Sequence, residues 1–307
     1  MRRAAEVVKH LPWRQRNAPF IRRRTIRAYD VLVADPVSLI ALGAALGGAA
    51  GKFAERAWDS SEKWLRERFG THAAEAQEQA RLNAAMFVEH LATRVKLLEL
   101  EQDLNAQLLD QAQSHPQFSS FLQRTVVDAA QTSATEKHDL LARLVAARLA
   151  VSAETTVALA SEMAADAISR STRRQCKLLA LCFFVYEIVP EKELTFMRRT
   201  KWIQNILKHF DDFQFIEIDA RHLVALGCAT YEPSIPVERI DAYDVLASKV
   251  GGKLSQIDLS SEPAFLAFKH NWKSGIWAIS LTSVGAIIGG LAFDQIVGVQ
   301  LGLPSWD

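Results

Sequence analysis

The stretch SLIALGAALGGAAGKFAERAW, Ser38 to Trp58, decides how this chain is read. From Pro36 to Gly51 there are sixteen residues without a charge, bracketed by Asp35 and Lys52. As a helix they rise about 24 Å, against roughly 30 Å for the hydrocarbon core of a bilayer. Gly43, Gly47 and Gly51 recur every fourth residue and would line one helical face, widened by Ala44, Ala49 and Ala50. In lipid such a face lets helix backbones approach closely. In water each glycine costs about 1 kcal/mol relative to alanine, so close packing must compensate. Two readings are open. One is a short membrane-entering helix, residues 31–52, working within an oligomer; the other is a soluble hairpin packed on the next helix.

Working outward, the flanks favour the membrane reading. Residues 1–29 carry nine basic side chains and one acid, Glu6, leaving 27 basic and 34 acidic groups in the rest of the 307-residue chain. A basic arm before an acidic body suits an anionic surface of lipid or nucleic acid, although a solvated tail has the same composition. After Lys52, Trp58 and Trp64 stand among charges; they suit a headgroup boundary or a core equally, and Gly70 marks a helix stop. Cys176, Cys182 and Cys228 form no C-x-x-C pair and are odd in number, which favours buried thiols in a cytosolic body. The long basic lead also disfavours a signal peptide.

From Thr71 the apolar spacing is helical for over a hundred residues, with Ala84, Phe87, Leu91, Val95 and Leu98 at three- and four-residue steps and a break at Pro116. Ser133 with Glu136, and Thr172 with Gln175, have capping-box spacing, and Ser152 is placed to cap the helix after it. CKLLALCFFVYEIVP is too short for a span and reads as a core helix. FQFIEI predicts a short strand, and ARHLVALGCATYEP a helix ending before Pro233. Ile276–Phe293 is uncharged over 18 residues; a buried strand IWAISLTSV followed by a helix is favoured over a membrane span. The fold class expected is mainly α: a short glycine-zipper membrane helix, a multi-helix body and a small α+β C-terminal part. The expected segments are a basic arm at 1–30, the membrane-entering helix and its extension at 31–70, a long helical connector at 71–132, a helical assembly and ligand-sensing region at 133–230, and the α+β part at 231–307.

Enzyme chemistry finds little support. The eight histidines are scattered without metal-site spacing, and neither a metal nor another cofactor is expected. His138-Asp139 reads as a polar helix face, and HFDDF at 209–213 has no supporting ligands. Lys52 is not followed by Ser or Thr in a phosphate-loop frame, and there is no G-x-S-x-G nucleophile elbow. Clusters of cations carry the binding candidates, because phosphate contacts need grouped Arg and Lys. These are Lys137, Arg143 and Arg148 on one helix and Arg170, Arg173, Arg174 and Lys177 around the next turn, with Arg198, Arg199, Lys201 and Trp202 on an exposed basic helix beyond. Each cluster has an ordinary alternative as a solvated face.

Over AAQTSATEKHDLLARLVAARL, ALASEMAADAIS, QCKLLAL and VYEI, between 129 and 188, and again over HLVALGCATYEP and LTSVGAIIGGLAFDQIVG, the chain resembles a family of uncharacterised bacterial proteins. That family is similar to the membrane effector of Hailong-type antiphage defence. The likeness runs from about Pro36 to the end and leaves the basic arm outside. It implies a homotetramer in the bacterial inner membrane with most of the chain cytoplasmic. It further implies a single-stranded DNA oligomer, made by a partner nucleotidyltransferase, that holds a channel closed. The competing expectation is a soluble helical adaptor or nucleic-acid-binding regulator without membrane activity.

Overall fold

A computed structural model of the chain describes residues 47–101, 106–151, 155–189, 196–234, 241–250 and 262–298. Its architecture is mainly helical, with twelve α-helices and one two-stranded sheet among these residues. The chain divides into two compact units between Arg173 and Arg174. The segment 133–230, expected as one region, is therefore shared between them.

The first unit opens with α1 (Gly48–Phe69) and α2 (Ala74–Leu100), which pack as a hairpin turning at Gly70–Ala73. Ala50, Phe53, Ala54, Ala57, Trp58, Ser61 and Leu65 are buried at helical spacing, so the apolar stripe of α1 faces inward. α3 (Ala106–Ser114), α4 (Pro116–Ala130), α5 (Thr135–Leu149) and α6 (Thr156–Arg170) complete the unit. Segment 71–132, expected as a connector, contributes α2, α3 and α4, and buries Phe87, Leu91, Val95, Phe121 and Val126 in this core. α5 is buried nearly all round, which makes it the central helix of the unit.

The described part of the glycine stretch starts the body. Gly47 and Gly48 both have positive φ (58° and 63°), and α1 begins at Gly48. Gly47 is the N-cap of α1 and its carbonyl accepts the Gly51 N–H at 3.1 Å, so the two stand one helical turn apart, while Gly43 lies outside the described residues. Gly51 is buried in the first turn of α1, so the end of the uncharged run is part of the packed body. The reason is local. A helix leaves its first N–H groups without internal partners, and Glu99 of α2 reaches across so that its Oε1 accepts the Ala49 N–H at 3.0 Å. A Cβ at Gly48 would lie 2.8 Å from that oxygen, so glycine admits the carboxylate. Trp58 is a core side chain, while Trp64 is half-buried.

The second unit comprises α7 (Arg173–Tyr186, from Arg174 onward), α8 (Phe196–Leu207) running into a 3-10 turn (Lys208–Phe210), and α9 (Glu217–Ala225). Beyond these come β1 (Ala229–Tyr231), α10 (Ala242–Val250), α11 (Pro263–Ser274), β2 (Ile279–Leu281) and α12 (Ser283–Val297). α7 is the core helix its sequence predicts, and Phe184 stacks on Phe293 of α12 at 6.0 Å. β1 and β2 pair antiparallel, Thr230 opposite Ser280. Of the expected strand IWAISLTSV only Ile279–Leu281 is strand, after a 3-10 turn at Ile276–Ala278 and before α12, and no described helix is long and apolar enough to cross a membrane.

Three further expectations change. FQFIEI alternates buried Phe213 and Phe215 with exposed Gln214 and Ile216, yet it pairs with no strand and Glu217 already starts α9. The Asn271 side chain substitutes for a strand partner: its amide donates to the Phe213 carbonyl (2.7 Å) and accepts from the Phe215 N–H (2.6 Å). ARHLVALGCATYEP is helical only to Ala225; Gly227 (φ 72°) turns the chain and the rest forms β1. The Ser133–Glu136 capping box is also absent. Ala134 is the N-cap of α5 without a side-chain hydrogen bond, and Glu136 pairs with Arg173 at 2.9 Å. Ser152 lies outside the described residues, and Thr155 caps α6 through the Ala158 N–H.

Candidate anionic-ligand interface

Within the first unit, the candidate cations are mostly turned inward. Lys137 donates to the Ser169 carbonyl (2.9 Å) at the C-terminal end of α6, where the helix dipole favours a cation. Arg143 and Arg94 share the carboxylate of Asp139, at 2.8 and 2.9 Å. Burial works against that carboxylate, and the two guanidiniums overcome it, holding Asp139 below the usual carboxylate range. Arg148 is buried; it donates to the Val151 carbonyl (2.7 Å), its Nε has no hydrogen-bond partner, and burial lowers its pKa against the opposing charge of Glu162. Arg173 is open to solvent on its ion pair with Glu136.

His138 and Asp139 are therefore not the outward polar face their sequence suggests. The fully buried His138 ring places Nε2 3.1 Å from the Ala129 carbonyl and 2.8 Å from the Thr132 carbonyl, tying the end of α4 to the start of α5. Both carbonyls accept, so the neutral ring carries its proton on Nε2, and burial lowers the His138 pKa. His90 stands nearby on α2 and is likewise pushed down, first by burial.

Arg170, exposed on the last turn of α6, has no ion-pair partner among the described residues. It adjoins a surface groove of about 460 Å³ lined by Arg68, Arg124, Asp128 and Asp166, with Gln123 and Gln131. Arg124 is bound to Glu162 at 2.7 Å, and burial followed by the Asp166 charge raises Asp128. Both signs of charge meet there, so the groove offers no cationic cradle for a polyphosphate.

In the second unit, Arg174 Nε donates to Asp219 at 2.5 Å, and Gln175 reaches the same carboxylate at 3.1 Å. Lys177 pairs with Asp212 over the Phe210 ring. The candidates thus gather into no common patch within either unit. α8 differs: Arg198 and Lys201 point outward with no ion-pair partner among the described residues, Arg199 is half-buried, and Trp202 leans on Phe184 at 5.7 Å.

The glycines that sequence spacing overlooked are in α12. A Cβ on Gly285 would fall 1.8 Å from the Cys228 carbonyl oxygen, and one on Gly289 2.7 Å from that of Leu179. GAIIGG at 285–290 carries the same four-residue spacing as the first glycine ladder, so the signal was present. The three cysteines are buried thiols outside any disulfide, and burial pushes Cys228 up to about 11. Among the described residues, no group of three His, Cys, Asp or Glu side chains is placed to hold a metal ion.

These features define a two-unit helical protein whose first unit pairs most of its candidate cations internally and whose second unit leaves Arg198 and Lys201 of α8 without an ion-pair partner among the described residues. The model of an uncharacterised protein family matches residues 51–256, about two thirds of the 307 residues, and the chain belongs to that family. The match runs from within α1 past α10. No curated protein and no solved structure matches the chain.

Proposed function

We propose that the chain is a non-enzymatic, membrane-associated helical effector, in which the residues before Gly47 enter a bilayer and the helical body carries assembly and ligand sensing. The observation that supports it is the start of α1. The uncharged run meets two positive-φ glycines, Gly47 and Gly48, and Glu99 caps the helix that begins there, so the described body opens on a capped helix of its own. The uncharged residues Pro36–Leu46 number eleven, about 16 Å as a helix and roughly half a hydrocarbon core. That length favours partial insertion by several copies over a single spanning anchor. Its resemblance to Hailong-type effectors supplies the rest of the reading: a homotetramer at the inner membrane, in antiphage defence, held inactive by a DNA oligomer.

Replacing Leu42 and Leu46 with Asp in the full chain tests insertion. The carbonate-resistant membrane fraction is expected to fall to background while far-ultraviolet dichroism stays unchanged, because each carboxylate costs about 3 kcal/mol in hydrocarbon. An unchanged membrane fraction overturns the reading. A soluble nucleic-acid-binding regulator is the second reading, favoured by the outward cations of α8; it requires full-length protein that carbonate strips completely from membranes.

A further inference from the structure

α8 with its 3-10 turn, and α11, contain no acidic residue from Phe196 to Phe210 or from Pro263 to Ser274. Their outward positions follow helical spacing: Arg198, Lys201, Asn205 and Lys208 on one, Leu266, His270 and Lys273 on the other, with Lys269 half-exposed beside them. The two helices pack against each other. None of Arg198, Lys201, Lys208, Lys269 and Lys273 has an ion-pair partner among the described residues, although Asp211, Asp212, Asp241, Asp244 and Glu262 lie at the ends of neighbouring elements. Most of the other candidate cations are neutralised internally, so five left alone on adjoining helices form a surface for an outside anion.

We propose that this α8–α11 face docks on the headgroups of an anionic bilayer, a deeper reading of the membrane association proposed above. Two observations favour lipid over nucleic acid. Among the described aromatic side chains of these elements, Trp272 is 1% exposed, Phe210, Phe265 and Phe268 are buried, and half-buried Trp202 leans on Phe184, so unpaired bases find little stacking platform. The apolar side chains that do face out are Met197, 79% exposed, and Leu266, 50% exposed, which suit the boundary between headgroups and acyl chains. Lysines on flexible stems then reach the phosphates.

The test uses the full chain and a variant with Arg198→Gln, Lys201→Gln, Lys208→Gln, Lys269→Gln and Lys273→Gln. Both are sedimented with phosphatidylcholine vesicles, with and without roughly one-third phosphatidylglycerol. The parent is expected to partition more strongly onto the anionic vesicles, and the variant to lose about tenfold of that gain. A control variant, Lys63→Gln, Arg66→Gln and Arg68→Gln at the exposed far end of α1, is expected to stay within about twofold of the parent. Equal loss in the control, or none in the five-residue variant, overturns the proposal. So does a variant that loses binding to a labelled oligothymidine while its vesicle partition is unchanged, which assigns the face to nucleic acid. Carbonate resistance separates this face from insertion: a parent that carbonate strips completely, yet whose anionic partition needs the five cations, keeps the face and removes the inserted segment.

Discussion

In the unit ending at Arg173, positive charge joins helices: Arg94 and Arg143 meet at Asp139, Lys137 at the end of α6, and Arg124 at Glu162. In the unit from Arg174, Arg174 and Lys177 are held in the same way, but Arg198, Lys201, Lys208, Lys269 and Lys273 have no ion-pair partner among the described residues. The difference teaches that a cluster of Arg and Lys in sequence says nothing about availability. What decides is whether the fold brings a carboxylate or a helix end to each one.

The comparison can be broken first at the glycines. Gly285→Ala is expected to destabilise the protein by about 3 kcal/mol or more, because the new Cβ meets backbone oxygen, which has no flexible end to move. Gly47→Ala meets nothing within 4 Å and carries only its backbone strain, about 1 kcal/mol. Urea unfolding that ranks these two the other way would mean that close packing of α12 is not the tighter constraint.

The ion pairs come next. Asp139→Ala leaves Arg94 and Arg143 largely out of solvent without their shared carboxylate, and a loss of about 3 kcal/mol is expected in the same measurement. Lys201→Gln on the outward face of α8 should lie within about 0.5 kcal/mol of the parent. Similar losses from both would remove the distinction between joining and free charge.

The smallest effect is at the start of α1. Burial disfavours the Glu99 carboxylate, but hydrogen bonds from Lys96 and from the Ala49 and Ala50 amides outweigh it and hold its pKa below the usual value. A carboxyl with a depressed folded pKa contributes stability that is present above its unfolded value, near 4.5, and lost as pH falls through the folded one. Glu99→Gln should therefore cost about 0.5–1 kcal/mol at neutral pH, and the gap to the parent should close on acidification below about pH 4. A gap that persists in acid would show that Glu99 acts through packing and not through charge.

Much of the architecture was legible in the sequence. Burial of an apolar stripe produces the helical period of α1, α2 and α4. Pro116 and Gly70 mark boundaries, because proline fits the first turn of a helix and glycine readily ends one. The continuous apolar run of α7 and the strand–helix form of 276–293 were also readable, since neither run offered a long uninterrupted helix. The interface was less legible. Arg143 and Asp139 are one helical turn apart, so half of their cluster is local, but Arg94 comes from 45 residues away. Asp219 and Asp212 reach Arg174 and Lys177 only through tertiary folding.

By itself, then, the sequence determined the helical class, the inward faces and the charge asymmetry of the basic arm, because these depend on local spacing and composition. Tertiary structure alone decided that Glu99 caps α1, that Asn271 satisfies Phe213 and Phe215 in place of a strand, and that α12 meets neighbouring backbone at Gly285 and Gly289, against the Cys228 and Leu179 carbonyls. Each of these joins residues distant along the chain, where a hydrogen bond or a missing Cβ has meaning only once another element stands against it.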